Sequence, residues 1–439
     1  VKTACRFALF SLVLLCACLK TQAQSKHNPS SNFPTYEGRV MCGYQGWFRA
    51  EGDGSGEGWS HYSERGPLAA ATLHPDFWPD VSEYEKTYPT ALTNQDGTSV
   101  RVFSSVDQST TDLHFQWLQQ YGIDGVFVQR FFGGLRTADS RKKSRVVLEH
   151  ALKSSQKYGR AMAVMYDLSG LRERGEDCSV IMQDWKELVD ELKITSQPTN
   201  NYLYHRGKPL VVIWGLGFPD RGYNLREIGI EKVISFLKND PEYGGCSVML
   251  GVPTYFRDLN VDTNPDPYLH KLIESADIVM PWMVQRFTPL LQFFDTPRYE
   301  EQVKADLAWC AERHLDYVPC VSPGFSWHNM HNHGGSDNAM IYPLNQIPRQ
   351  KGRFYWNEIS GAIHAKAKML YVAMFDEMDE GTAIFKCSNH PPAGVQLCDY
   401  EGLPTDQYLW LTGQGGKMLR REIPFSTLIP SRENTKLPL

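Results

Sequence analysis

Four carboxylates stand within five residues of the segment Phe375-Asp-Glu-Met-Asp-Glu-Gly-Thr382: Asp376, Glu377, Asp379 and Glu380. Ionised carboxylates this close repel one another, so at least one keeps its proton to a higher pH than an isolated acid would. A general acid is therefore available near neutral pH. Glu377 and Glu380 are spaced i, i+3. Such side chains diverge along an extended chain, but in a helical turn their Cβ atoms approach to ~5–6 Å. Gly381 and the abrupt end of the apolar run before Asp376 predict a turn. The pair then falls near the ~5–5.5 Å separation at which one carboxyl protonates a leaving glycosidic oxygen and the other assists attack with retention. A solvated acidic turn at a strand end has the same composition, and at this level both readings stand.

Other patterns carry less. His328, His331 and His333 have metal-like spacing, but no helix is predicted to gather their rings, and they read as a loop without metal. Asp53, Ser55, Glu57, Gly58 and Glu64 fit a relaxed calcium-loop spacing. Flanking helices are absent there, so the stretch reads as a rim loop. The same Gly-rich loop fails the G-x-G-x-x-G spacing, and its acids would repel a phosphate. Gly324-Phe-Ser326-Trp-His328 lacks the closing Gly of a serine nucleophile elbow. No cofactor and no metal is expected.

The elements that must position the acidic turn are apolar runs alternating with amphipathic stretches. The runs are Val40–Trp47, Gly125–Phe132, Ala161–Leu168, Pro209–Phe218, Ser247–Phe256, Asp277–Val284, Tyr317–Val321 and Met369–Phe375. Several are apolar without alternation, as strands buried on both faces should be. Helices are predicted over Thr111–Tyr121, Arg141–Tyr158, Ile181–Ile194, Leu225–Leu237 and Glu300–His314. Eight strands separated by helices predict an α/β fold, a single-domain (β/α)8 TIM barrel with long loops on the strand C-terminal face. Val100–Val106 is read as the lead-in to the first helix.

In such a barrel the residues just after each strand form the mouth. Those positions hold Tyr44, Gln45 and Trp47; Arg130 and Phe131; Tyr166 and Asp167; Trp214; Tyr255; Trp282; and Phe325, Trp327 and His328. Of these, Tyr44, Trp47, Arg130, Asp167, Trp214, Tyr255, Trp282, Trp327 and His328 are the candidates for substrate contact. Aromatic platforms among acids suit a neutral, ring-shaped ligand.

Composition agrees. With 42% hydrophobic and 22% charged residues the chain is neither disordered nor fibrous, and a net charge of −5 leaves no footprint for nucleic acid. Lys2 and Arg6 precede an apolar run from Phe7 to Leu19 and the small-residue site Thr21-Gln22-Ala23. Residues 1–23 are therefore expected to be a secretory signal, or a lipoprotein signal ending at Cys18. The expected order is then a linker over 24–35, the barrel over 36–425 and a tail over 426–439. The protein is expected to be exported, whether periplasmic, secreted or lipid-anchored, with no transmembrane segment, and monomeric. Seven cysteines follow the signal; Cys387 and Cys398 bracket a Pro-Gly loop and are the expected disulfide, while Cys42 and Cys320 read as core.

The acidic segment resembles the Glu-x-x-Glu-Gly-Thr motif of glycoside hydrolase family 99, the endo-acting α-mannosidases. Val318-Pro-Cys-Val-Ser-Pro-Gly-Phe325 resembles that family's Pro-Ser-Val-x-Pro-Gly-Tyr segment. Ser104-Ser105-x-Asp107 with Tyr121-Gly-Ile-Asp-Gly125 resembles its Ser-Ser-x-Asp and Gly-Ile-Asp unit, and Arg353-Phe-Tyr-Trp356 falls where the helix before the catalytic strand begins. Trp59-Ser-His61-Tyr62 is similar to its Trp-x-His-Trp loop, which adds Trp59 and His61 to the candidate substrate contacts. The matches keep their order from Gly43 to Thr382. The family's Asn-Glu-Trp-His-Glu is Asp376-Glu377-Met378-Asp379-Glu380 here, and family 71, the fungal α-1,3-glucanases, is also similar. The resemblance implies a glycosidase acting on an α-linked mannan-like or glucan-like glycan, with Glu380 as acid/base. By the same resemblance Glu377 deprotonates the sugar 2-hydroxyl; direct attack by Glu377 is the plain alternative, and the residues do not separate the two. A non-catalytic carbohydrate-binding barrel is the rival expectation.

Overall fold

The computed structural model describes residues 24–63, 66–172, 176–288, 296–332 and 342–432. All eight apolar runs become strands: β1 Val40–Tyr44, β2 Gly125–Phe131, β3 Ala161–Asp167, β4 Lys208–Trp214, β5 Ser247–Pro253, β6 Ile278–Trp282, a two-piece β7 (Asp316–Tyr317 and Cys320–Val321) and β8 Leu370–Val372. Each pairs in parallel with the next. The ring closes where β8 meets β1 through Val40↔Leu370 and Met41↔Tyr371. The first piece of β7 pairs with β6 and the second with β8. Pro319 stands between the two pieces and has no N–H to donate, which divides the strand without opening the barrel. The strands are buried along nearly their whole length because helices wrap them and side chains fill their interior. At Gly43 a Cβ would come within 2.2 Å of Met374 and 2.3 Å of the Tyr371 hydroxyl, so only glycine fits there.

Three expectations are corrected. Ser99–Val102 is a strand after all, paired antiparallel with Tyr88–Thr93 in a separate hairpin outside the barrel. Residues 24–35 are packed chain, not a linker: Lys26 Nζ donates to Asp190 (2.7 Å) and Asn28 N to Thr195 O (3.1 Å). Cys387 and Cys398 are buried and unbonded. Cys398 N donates to Asp76 O while Cys387 bridges to Pro79, so the two thiols are held at different points of one extended segment. At the opposite end of the chain, helix Gln407–Leu419 packs beneath the barrel, and Arg420 Nη1 donates to Asp124 at 3.1 Å. Among the described residues no helix is long and apolar enough to cross a membrane. The expected signal, residues 1–23, lies outside them.

Candidate active site

β8 ends at Val372 and the chain turns over residues 378–381. Gly381 N bonds back to Met378 O, and the N–H groups of Thr382 and Ala383 both reach Glu377 O. Gly381 has φ +66°, and a Cβ on it would stand 2.8 Å from Ser326 N. Arg349, buried and stacked on Phe77 and Tyr408, donates to Gly381 O (2.8 Å) and Ala383 O (2.7 Å) and pins the far side of the turn. The four carboxylates consequently point in different directions. Asp376 turns toward the loop after β1, where its two oxygens accept Gln45 N and Gly46 N, each at 2.8 Å. Burial raises its pKa to about 7, partly offset by those amides. Asp379 is fully buried and accepts from His61 Nδ1 at 2.9 Å.

Glu377 and Glu380 turn into a cavity of about 600 Å³ at the C-terminal ends of the strands. Burial, then the charge of Glu380 and Asp379, lifts Glu377 well above the ordinary carboxylate range. Burial, then Asp379, likewise raises Glu380. Their surroundings differ. Gln45 Nε2 donates to Glu377 Oε1 at 2.7 Å and Thr382 Oγ1 to its Oε2 at 2.8 Å. Two donors favour the ionised form of Glu377, against the Trp327 indole alone at Glu380; burial raises both, so the pair holds a proton between them and the donors bias it toward Glu380. A third carboxyl, Asp167 at the end of β3, also lines the cavity and is raised by burial, while Ser169 N donates to it at 2.7 Å.

Of the remaining residues expected at the site, Trp47, His61, Trp214, Trp282 and Trp327 line this cavity. Five do not. Side chains alternate across a strand, and Tyr44 and Arg130 fall on the outward phase. Tyr44 meets His114 Nδ1 of helix Gln108–Tyr121 at 2.8 Å, and Arg130 pairs with buried Asp184 of helix Ser179–Asp190. Their neighbours Gln45, Gln129 and Phe131 line the cavity instead. Trp59 packs half-buried against the core. Tyr255 lies in a turn where its N–H is bound to Asp262 Oδ1 at 3.1 Å. His328 opens a short helix, His328–Asn332, that the sequence did not predict; its N–H goes to Asp76 and its Nδ1 to Tyr342 O, both away from the cavity. His333 and Glu64 lie outside the described residues. Asp53 has its oxygens taken by Ser55, Ala50 and Ser104.

Arg221 and Arg286 also line the cavity. Arg286 is bound to Asp262 at 2.6 Å, while the Arg221 guanidinium lies 5.5 Å from the Trp214 ring. Nothing in the spacing of the sequence marked either. Among the described residues, His61, His74 and Asp379 form the one His/Asp group with the spacing of metal ligands, their atoms lying within 4.8 Å of one another.

The fold has solved counterparts. The GH99 endo-α-mannosidase from Bacteroides thetaiotaomicron superposes with a TM-score of 0.61 at 16% identity, over 88% of this chain and 99% of that one. The fold is the GH99-type barrel. The same enzyme in complex with bis-tris propane gives a TM-score of 0.60 at 16% identity, again over 88% and 99% of the chains. No protein-family model and no curated protein matches the sequence. In (β/α)8 barrels active sites lie at the C-terminal face of the strands, where this cavity lies.

Proposed function

We propose that this GH99-type barrel is a retaining glycoside hydrolase that cleaves an α-linked, mannan-like or glucan-like glycan, with Glu377 and Glu380 as its catalytic carboxyls. The observation that carries the reading is a carboxyl pair, Glu377 buried and Glu380 half-buried, held on one turn in unlike surroundings within an aromatic-walled cavity. The fold shared with an endo-α-mannosidase supports it. Trp214, Trp282 and Trp327 offer apolar faces against the C–H faces of sugar rings. Glu380 donates its proton to the glycosidic oxygen as the bond to the anomeric carbon breaks. Glu377, held by Gln45 and Thr382, removes the proton of the 2-hydroxyl, whose oxygen closes on the anomeric carbon, or attacks that carbon itself. Water then opens the intermediate, with Glu380 acting as base. None of these steps requires a cofactor.

The test is a screen of aryl α-glycosides and α-linked manno- and gluco-oligosaccharides, with proton NMR of the anomeric configuration released first. Turnover with retention, lost in Glu377→Gln and Glu380→Gln, supports the proposal. Binding of glycan without turnover of any substrate would leave a carbohydrate-binding barrel in its place.

A further inference from the structure

We propose that Asp379 is a positioning residue that fixes His61 so that its Nε2 meets a sugar hydroxyl beside the Glu377–Glu380 pair; this rests on the carbohydrate reading of the cavity. His61 is a non-glycine residue at φ +61°. Backbone of that kind is strained and persists only where the surroundings over-determine it. Here they do. The imidazole lies flat on Trp47 (3.8 Å between centroids, 7° between planes), and Trp47 is itself stacked on Phe131 at 5.1 Å. Its Nδ1 is 2.9 Å from Asp379 Oδ2.

With its Nδ1 donating to the Asp379 carboxylate, a neutral imidazole has Nε2 left as its acceptor, and His61 lines the cavity. Asp379 is fully buried within the turn that carries both glutamates, so it cannot swing to follow the ring. The loop after β1 is thereby referenced to the catalytic turn after β8. An acceptor at this point selects a sugar presenting a hydroxyl there. His74 Nδ1 lies 3.9 Å from the same Asp379 oxygen, and Asp379 Oδ1 is buried without a hydrogen-bond partner among the described residues, features that a divalent cation could also use.

Imidazole 15N shifts of the full-length, ligand-free protein read the tautomer without any substrate. The expected result is a His61 proton on Nδ1, displaced toward Nε2 in Asp379→Asn, whose amide can donate. A proton on Nε2 in the wild type, or a tautomer indifferent to Asp379→Asn, overturns the positioning role. If Asp379→Asn does not fold, the wild-type shifts and His61→Phe decide. His61→Phe keeps the stack on Trp47 and removes the acceptor, which should weaken binding of an α-linked manno-oligosaccharide about tenfold, the worth of one hydrogen bond. Asp379→Asn should show a similar loss, and the double variant no further one. Wild-type-like binding by His61→Phe, or losses that multiply, overturns the proposal. So does stoichiometric zinc in the purified protein whose removal abolishes activity. Should the wild type bind none of the oligosaccharides, the carbohydrate reading fails, and the nitrogen shifts still judge the pair.

Discussion

Glu377 and Glu380 share a turn, yet the side chains around them divide the work. The donors Gln45 and Thr382 stabilise charge on Glu377, while burial and the nearby Asp379 raise both carboxyls. Glu380→Gln keeps the shape and removes the transferable proton, so turnover of unactivated glycosides should fall by about 10²–10⁴. Aryl glycosides with good leaving groups should lose much less, because they depart without protonation. Glu377→Gln should hurt both substrate types alike; steady-state kinetics on the two classes checks this. The sign of the pH effect follows from the raised pKa. In the proposed mechanism turnover needs protonated Glu380, so the profile should hold well above the ordinary carboxylate value of 4.5 and fall as pH rises through the raised pKa. That alkaline limb should vanish in Glu380→Gln. Asp376 binds backbone rather than cavity, and Asp376→Asn should cost about tenfold in kcat by loosening Gln45, less than either glutamate change.

At the scale of elements, the turn after β8 is held from three sides: by Arg349, by the Ser326 N–H to Glu380 O bond, and by Asp376 on the loop after β1. It has no room for a larger residue at Gly381. Gly381→Ala would combine a left-handed φ with a contact to Ser326 N that must open. We expect a stability loss of about 1–3 kcal/mol, measured by denaturant unfolding. The displaced carboxyls should cost about 10²-fold in kcat, with less effect on glycan binding. Unchanged kcat in a folded Gly381→Ala protein would show that the turn tolerates movement. The two-piece β7 illustrates the opposite tolerance, since the barrel closes around Pro319 although one ladder donor is missing.

For the molecule as a whole, the barrel carries a buried acid unconnected with the proposed chemistry. Glu358, on helix Arg353–His364, accepts Ser322 N at 2.7 Å, and burial raises its pKa to about 8. The folded state therefore holds a proton that the unfolded chain releases near 4.5. The associated stability is complete below that pH and is lost as pH rises through about 8. Glu358→Gln can still accept the Ser322 N–H and has no charge to bury. It should raise the unfolding free energy at pH 8 by on the order of 1 kcal/mol or more, since each pKa unit corresponds to about 1.4 kcal/mol. The gain should disappear near pH 4. Thermal unfolding across that range measures it, and a pH-independent difference would mean the carboxyl is not desolvated as described.

The sequence by itself determined the eight strands, their order and the turn that carries Glu377 and Glu380. Strands buried on both faces must be continuously apolar, and an acidic cluster ending the last of them is visible in one dimension. It did not determine which residue of each strand end enters the cavity. Side chains alternate with a period of two, so a one-residue difference in where the strand leaves the barrel exchanges Tyr44 for Gln45 and Arg130 for Phe131. The Cys387 and Cys398 positions likewise looked paired along the chain but are held apart by separate contacts to the 76–79 segment. The meeting of His61 with Asp379 across 318 residues was decided only by closure of the barrel, which brings the loop after β1 against the loop after β8. Local pattern fixes what each segment becomes; which side chains touch depends on register and loop packing, and these are properties of the closed ring.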